Sequence, residues 1–306
     1  MKLGLFTACM PQRSLSEVAE WAAAEGFEAL EVAMWPRGYA GPFTASHIDA
    51  ATLDGPAADA IRTQMQELGL HISSLGYYVN LLGPDEQARA AAHEYLWSCI
   101  DAAARLSVPT VGTFIGRHPG RTVRENIADA ERLLPRFVDH AAECGVKLVV
   151  ENCVMEGWHP DGYPGNLAYS PELWEWVCSL GFGLNWDPSH LCWIGVDPVA
   201  TIGPWAEHIV HVQAKDIELQ PDRRQRFGVF GPARDRADPW DNGWWRYRVP
   251  GLGDLDWRRI IDRLSEFGYG GVISIEHEDP VWTGSPERVE QGLRIARNTL
   301  SPLLVS

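Results

Sequence analysis

The sequence predicts an α/β chain folded as a single (β/α)8 TIM barrel with long βα loops, one domain over residues 1–306. Three observations predict it. Eight short apolar, β-branched or aromatic runs alternate with eight stretches of helical periodicity, about 38 residues per unit. No low-complexity segment or Ser/Gly linker divides the chain. No GxGxxG follows the first run, so a dinucleotide-binding doubly wound sheet loses its main support.

The elements follow in order. Leu3–Ala8 has one Lys before it and patterned sequence after it, so it reads as a first strand and not as a signal peptide. Ser14 and Glu17 make a capping-box pattern for a helix over Leu15–Glu25, and Gly26 is placed to end it. Ala29–Met34 is the second strand, with helical spacing over Ala57–Leu68 stopping at Gly69. His71–Gly76 precedes a helix over Glu86–Leu106, and Thr110–Ile115 precedes one over Val123–Cys144 that Gly145 closes. Lys147–Glu151 is paired with Pro171–Leu180, closed by Gly181, and Phe182–Asp187 with Pro198–Glu207. Ile209–Lys215 leads to Trp257–Phe267, capped by Asp254 or Asp256 and closed by Gly268. Gly271–Glu276 and Pro286–Thr299 complete the set.

The connections are unequal. Met34–Gly55, Asn152–Ser170 and above all the segment from Asp216 to about Asp256 are long and aromatic, whereas helix-to-strand links are a few residues. In a barrel the βα loops build the functional face, so the length is concentrated there.

Composition narrows the function classes. With 41 acidic and 26 basic side chains the net charge is −15, which argues against a nucleic-acid or anionic-membrane partner. No apolar run approaches the roughly 20 residues of a membrane span. The six cysteines show no CxxC pair, so a reduced, cytoplasmic protein is expected. Tryptophan, at 14, outnumbers both Phe and Tyr, and many of these residues fall near strand ends and in βα loops: Trp35, Trp158, Trp193, Trp244, Trp245 and Trp282 among them. They predict an aromatic wall around the site.

The chemistry is carried by the ends of strands five to eight. KLVVENC ends at Glu151, and FGLNWDPSH ends at Asp187 with His190 three residues on. IVHVQAKD puts His211, Gln213 and Lys215 on one face, and VISIEHED ends at Glu276. Three carboxylates at one mouth repel each other unless a cation lies between them. An oxygen-rich set of Glu151, Asp187, Gln213 and Glu276 suits a hard divalent ion. Asp216, Glu278 and Asp279 read as solvated loop residues or caps.

These motifs, with WWRYRVPGLGDLDW ahead of the last strand, resemble the xylose isomerase-like barrels, and within them the sugar phosphate isomerase/epimerase group. The resemblance spans essentially the whole chain. It implies one divalent metal ion, Mn²⁺ first and Mg²⁺ or Co²⁺ as alternatives, on Glu151, Asp187, Gln213 and Glu276. Gln213 departs from the family's usual His, and His211, one step deeper, is the alternative ligand. The reaction implied is proton abstraction beside a metal-bound carbonyl of a keto-sugar or polyol ketone, through an enediolate. Glu151 and Glu276 are the acid and base. His190 contacts substrate or holds Asp187 by a hydrogen bond. Lys215, Arg246, Trp35 and Trp245 are the expected substrate-binding residues.

A second reading keeps the enolisation and ends in elimination. Some family members are the larger subunits of C-glycoside deglycosidases, which cleave 3-keto-glycosides and need a small second subunit. The Trp-rich loops suit such a glycoside. Abasic-site endonucleases share the barrel, but a His-rich metal cluster and a basic groove are missing from this sequence. The expected partner is therefore a small-molecule sugar or glycoside, with a homo-oligomer or second subunit left open.

Overall fold

The computed structural model describes residues 1–39, 44–160, 162–232 and 240–304. Eight parallel strands close into a barrel in the order β1-β10-β7-β6-β5-β4-β3-β2. They are β1 (Lys2–Phe6), β2 (Ala29–Ala33), β3 (His71–Gly76), β4 (Thr110–Thr113), β5 (Lys147–Glu151), β6 (Gly183–Trp186), β7 (Ile209–Ala214) and β10 (Val272–Ile275). The helices α1 (Leu15–Ala24), α2 (Gly55–Glu67), α3 (Glu86–Leu106), α4 (Val123–Leu133), α5 (Pro135–Glu143), α6 (Pro171–Ser179), α8 (Pro198–Trp205), α10 (Trp257–Glu266) and α11 (Pro286–Leu300) connect them. The predicted (β/α)8 barrel is the fold observed.

Local chemistry explains the boundaries. Ser14 accepts from Glu17 N and Glu17 reaches back to Ser14 N, the reciprocal cap expected from the sequence. The five glycines placed as helix stops all adopt positive φ, from 68° at Gly69 to 97° at Gly181. Helix α10 buries Trp257, Ile260, Ile261 and Leu264, one stripe at helical spacing. Each such side chain contributes about 1.5–3 kcal/mol of burial.

Three features differ from the sequence reading. The helix expected over Val123–Cys144 is two helices, because Pro135 lacks an N–H and interrupts the ladder after Leu133. A short helix α7 (Ser189–Trp193) follows β6. The long segment after β7 carries an antiparallel hairpin of β8 (Asp216–Leu219) and β9 (Trp245–Arg248), with α9 (Pro221–Phe227) between them. Its two strands are too short and too charged to stand out by periodicity.

Asp216, read above as a loop residue, is fully buried. Its carboxylate accepts from the backbone N–H of Ile217, Gly251 and Leu255 and from Trp257 Nε1, which ties the hairpin to α10. Asp279 is buried too, and binds Arg248 Nε at 2.9 Å and Val249 N at 3.0 Å. Among the described residues no helix is long and apolar enough to cross a membrane.

Candidate active site and metal centre

Glu151 is the last residue of β5, Asp187 follows β6 and Glu276 follows β10, so closure of the barrel brings all three carboxylates together. One oxygen from each lies within 4.8 Å of the others, and all three residues are buried. Asp187 is held from both sides. Its N–H donates to Asn152 Oδ1 at 2.7 Å, its carbonyl accepts from Asn152 Nδ2 at 2.8 Å, and its Oδ1 accepts from Ser189 N at 2.8 Å.

Two side chains supply positive charge. His190, on α7, places Nε2 3.0 Å from Glu151 Oε1 and 3.3 Å from Asp187 Oδ2, so that nitrogen carries the proton. The Tyr247 hydroxyl meets the opposite nitrogen, Nδ1, at 2.8 Å. Lys215 Nζ lies 2.9 Å from Glu276 Oε2, 3.1 Å from Glu278 Oε2 and 3.3 Å from Asp187 Oδ2, with the Tyr247 ring 4.6 Å away. Burial alone would raise the Asp187 carboxyl, but Lys215 and His190 hold it at about 2. For Glu276, burial and the neighbouring carboxylates Glu151 and Glu278 outweigh Lys215 and push the carboxyl well above its usual range. Burial opposes the Lys215 ammonium, yet Glu276, Glu278 and Asp187 keep it charged.

Gln213 lies deeper on the same face of β7. Its Nε2 donates to Glu31 Oε1 at 3.0 Å and to the Tyr78 hydroxyl at 3.3 Å. Its Oε1 has no hydrogen-bond partner among the described residues. That buried, unpartnered oxygen and the three converging carboxylates are a donor chemistry that fits a hard divalent ion. His211 does not fit as the alternative ligand. Its Nδ1 bonds Asn185 Oδ1 at 3.0 Å and its Nε2 bonds Ser73 Oγ at 3.1 Å, so both ring nitrogens are engaged.

A cavity of about 370 Å³ opens above the carboxylates. Glu151, His190, Lys215, Glu276 and Glu278 form its polar floor, and Phe6, Trp35, Tyr78, Phe114, Met155, Trp240 and Tyr247 much of its wall. Trp35 and Lys215 are therefore where the sequence reading put them. Arg246 and Trp245 are not, and neither lines this cavity. Within β9 the side chains alternate: Arg246 faces Glu218 on β8 and pairs with it at 2.7 Å. Trp245 stacks on Trp193, centroids 4.8 Å apart and planes 17° off parallel, in a separate apolar cluster with Trp244, Val154 and Ile217. The expected tryptophan wall is thus mainly phenylalanine and tyrosine. Trp158 stands behind Phe114, edge to face at 5.3 Å.

Two functional candidates escaped sequence reasoning. Glu31 is a fully buried carboxyl inside the apolar strand ALEVA, and burial pushes it up to about 7 even though Tyr78 donates to it. A lone acid in an otherwise apolar buried strand was the available signal. Tyr247 sits between the two arginines of WRYR, which drew attention to the wrong parity.

A family model described as xylose isomerase-like TIM barrel matches residues 19–299. The chain is 32% identical over 173 residues to the uncharacterized protein YfiH of Bacillus subtilis, 54% of this chain and 51% of that protein. It is 31% identical over 101 residues to an inosose dehydratase of Clostridium beijerinckii, 32% of this chain and 31% of the other. The chain thus spans about half the length of the first relative and less of the second. Among solved structures, the IOLI protein with a bound zinc atom superposes with a TM-score of 0.71 at 16% identity, covering 100% of both chains. A D-psicose 3-epimerase in the presence of D-fructose gives 0.67 at 17% identity, over 98% of this chain and 99% of that one.

Proposed function

Because the chain belongs to the xylose isomerase-like TIM-barrel family, we propose that it is a divalent-metal-dependent isomerase or epimerase of a keto-sugar or related polyol ketone. The observation that carries this reading is the convergence of Glu151, Asp187 and Glu276 within 4.8 Å of one another, with Glu151 and Glu276 lining the cavity. The names of the inosose dehydratase and the D-psicose 3-epimerase support the class of chemistry.

Glu151, Asp187 and Glu276, with Gln213 Oε1, hold the ion; Mn²⁺ suits their oxygen donors. When bound, it supplies Lewis-acid polarisation of a substrate carbonyl. The protein's own groups do the rest. A Glu151 oxygen removes the proton next to the carbonyl, while His190 Nε2 fixes the orientation of that carboxylate and Tyr247 fixes His190. Glu276, on the other side of the cluster, returns a proton to the opposite face. The Lys215 ammonium faces the substrate oxygen on which negative charge develops. The aromatic walls exclude water from this exchange.

A second reading is favoured by the apolar wall of Phe6, Trp35, Phe114 and Met155, which has room for more than a free sugar. There the same proton abstraction ends in release of an aromatic aglycone from a 3-keto-glycoside, as in C-glycoside deglycosidases with their small second subunit. Incubation with ketoses and 3-keto-glucosides in D₂O, followed by NMR, separates the two. Deuterium entering next to the carbonyl without cleavage supports the isomerase, and aglycone release supports the lyase. No exchange with any α-hydroxy-ketone overturns both.

Glu31 is expected to matter through Gln213. A Glu31→Ala variant loses the acceptor that turns the Gln213 amide, and Mn²⁺ affinity should fall roughly 10–100-fold. Calorimetric titration checks this without turnover. Unchanged affinity would remove Gln213 from the ligand set.

A further inference from the structure

A second cluster of donor atoms lies on the outside of the barrel. Helices run back against the strands, so the C-terminal halves of α3 and α5 lie at the end opposite the cavity. There α3 presents Trp97 and Asp101, and α5 with its cap presents His140 and Cys144, each pair four residues apart and so on one helix face. His140 Nε2 is 2.8 Å from Asp101 Oδ1 and 3.8 Å from Cys144 Sγ, and the three donor atoms lie within 4.8 Å of one another. The Trp97 indole stacks on the His140 ring at 4.0 Å and 13°, which fixes the ring plane.

The arrangement is not that of a nucleophile relay. A relay uses one imidazole nitrogen for the thiol and the other for the acid, whereas here both meet Nε2. Burial, then Asp101 and Glu143, also push the Cys144 thiol above its usual range. Convergence on one point is what a bound ion requires. Tetrahedral Zn²⁺ with bonds of about 2.0–2.3 Å has ligand-to-ligand edges of about 3.3–3.8 Å. The sulfur-to-nitrogen distance already has that length, and the nitrogen-to-oxygen one needs to open by about half an ångström. Asp101 is 39% exposed and His140 18%, leaving a side open for water as fourth ligand.

We propose that Asp101, His140 and Cys144 form a peripheral binding site for a borderline-soft divalent ion, Zn²⁺ by its Cys-His-Asp donor set, clipping α3 to α5. The ion replaces the thiol proton, which goes to solvent. This site is separate from the oxygen-rich centre and independent of the reaction assigned to it.

The test uses full-length protein stripped with a chelator and titrated with Co²⁺, an optical surrogate for Zn²⁺. The wild type is expected to show a thiolate-to-Co²⁺ charge-transfer band in the near ultraviolet. That band should persist in Cys153→Ser, whose cysteine lies by the catalytic carboxylates, and vanish in Cys144→Ser and in His140→Gln. Zn²⁺ should raise the thermal midpoint in the wild type by more than in the latter two variants. No band in the wild type, or a band that survives both Cys144→Ser and His140→Gln, overturns the proposal. If one variant fails to fold, the other decides it.

Discussion

Glu151→Gln is expected to abolish measurable turnover and leave the barrel folded. Glu151 is 3% exposed at the end of β5, and its Oε1 receives the Nε2 proton of His190 at 3.0 Å. An amide of the same shape still accepts that hydrogen bond, so packing is preserved. What is lost is the basic oxygen and one charge of the ion-binding set. Removal of a general base alone costs roughly 10²–10⁴-fold, and weakened ion binding adds to it. The check is kcat/KM for whichever α-hydroxy-ketone exchanges, alongside far-ultraviolet circular dichroism and a melting curve. A folded variant retaining a tenth of wild-type turnover would show that Glu151 is not the base.

Lys215→Met is expected to have the largest effect on stability. Lys215 is 2% exposed, and its ammonium is shared by Asp187, Glu276 and Glu278 at 2.9–3.3 Å. Methionine fills a similar volume but leaves those carboxylates uncompensated in a buried place, which costs about 3–5 kcal/mol. The loss should be greatest in protein stripped of divalent ions, because then, among the described residues, His190 is the one positive group left beside the cluster. Urea unfolding with chelator and with Mn²⁺ measures both. The stabilisation by Mn²⁺ should be larger in the variant than in the wild type. A variant as stable as the wild type in chelator would show that Lys215 is not the neutralising charge.

The two predictions depend on different kinds of legibility. Glu151, Asp187 and Glu276 were readable because strand ends in a parallel barrel occupy equivalent positions, so successive acidic residues there necessarily meet. Lys215 was readable as a mouth residue from its parity with Gln213. Its pairing with Glu278 was not, since Glu278 lies beyond the last strand in a turn of no fixed period. Arg246 was misplaced for a related reason, whereas Trp245, on the same face of β9 as Tyr247, stacks on Trp193 instead of lining the cavity. Alternation in WRYR assigns two faces but does not say which one looks into the cavity, and that was settled by Glu218 on the opposite strand. Tyr247, on the inward face, is the residue of that strand that reaches His190.

Tryptophan shows the limit most clearly. Its abundance is a sequence fact, yet large flat side chains go wherever surface is to be covered. Trp193, Trp244 and Trp245 seal the hairpin to the barrel instead of lining the cavity. By itself, the sequence determined the repeat of strands and helices, their caps and glycine stops, and the strand ends whose carboxylates meet at one mouth. These follow from local periodicity and from backbone geometry, which act over a few residues. Tertiary structure alone decided the buried partners: Glu31 with Gln213, His190 with Tyr247, Lys215 among three carboxylates, and Asp101 with His140 and Cys144. Apart from His140 with Cys144 on one helix, those contacts join residues 28 to 182 positions apart, so no local pattern encodes them. They exist because closing the barrel and packing its outer helices leaves each buried polar group only the neighbours that the fold provides.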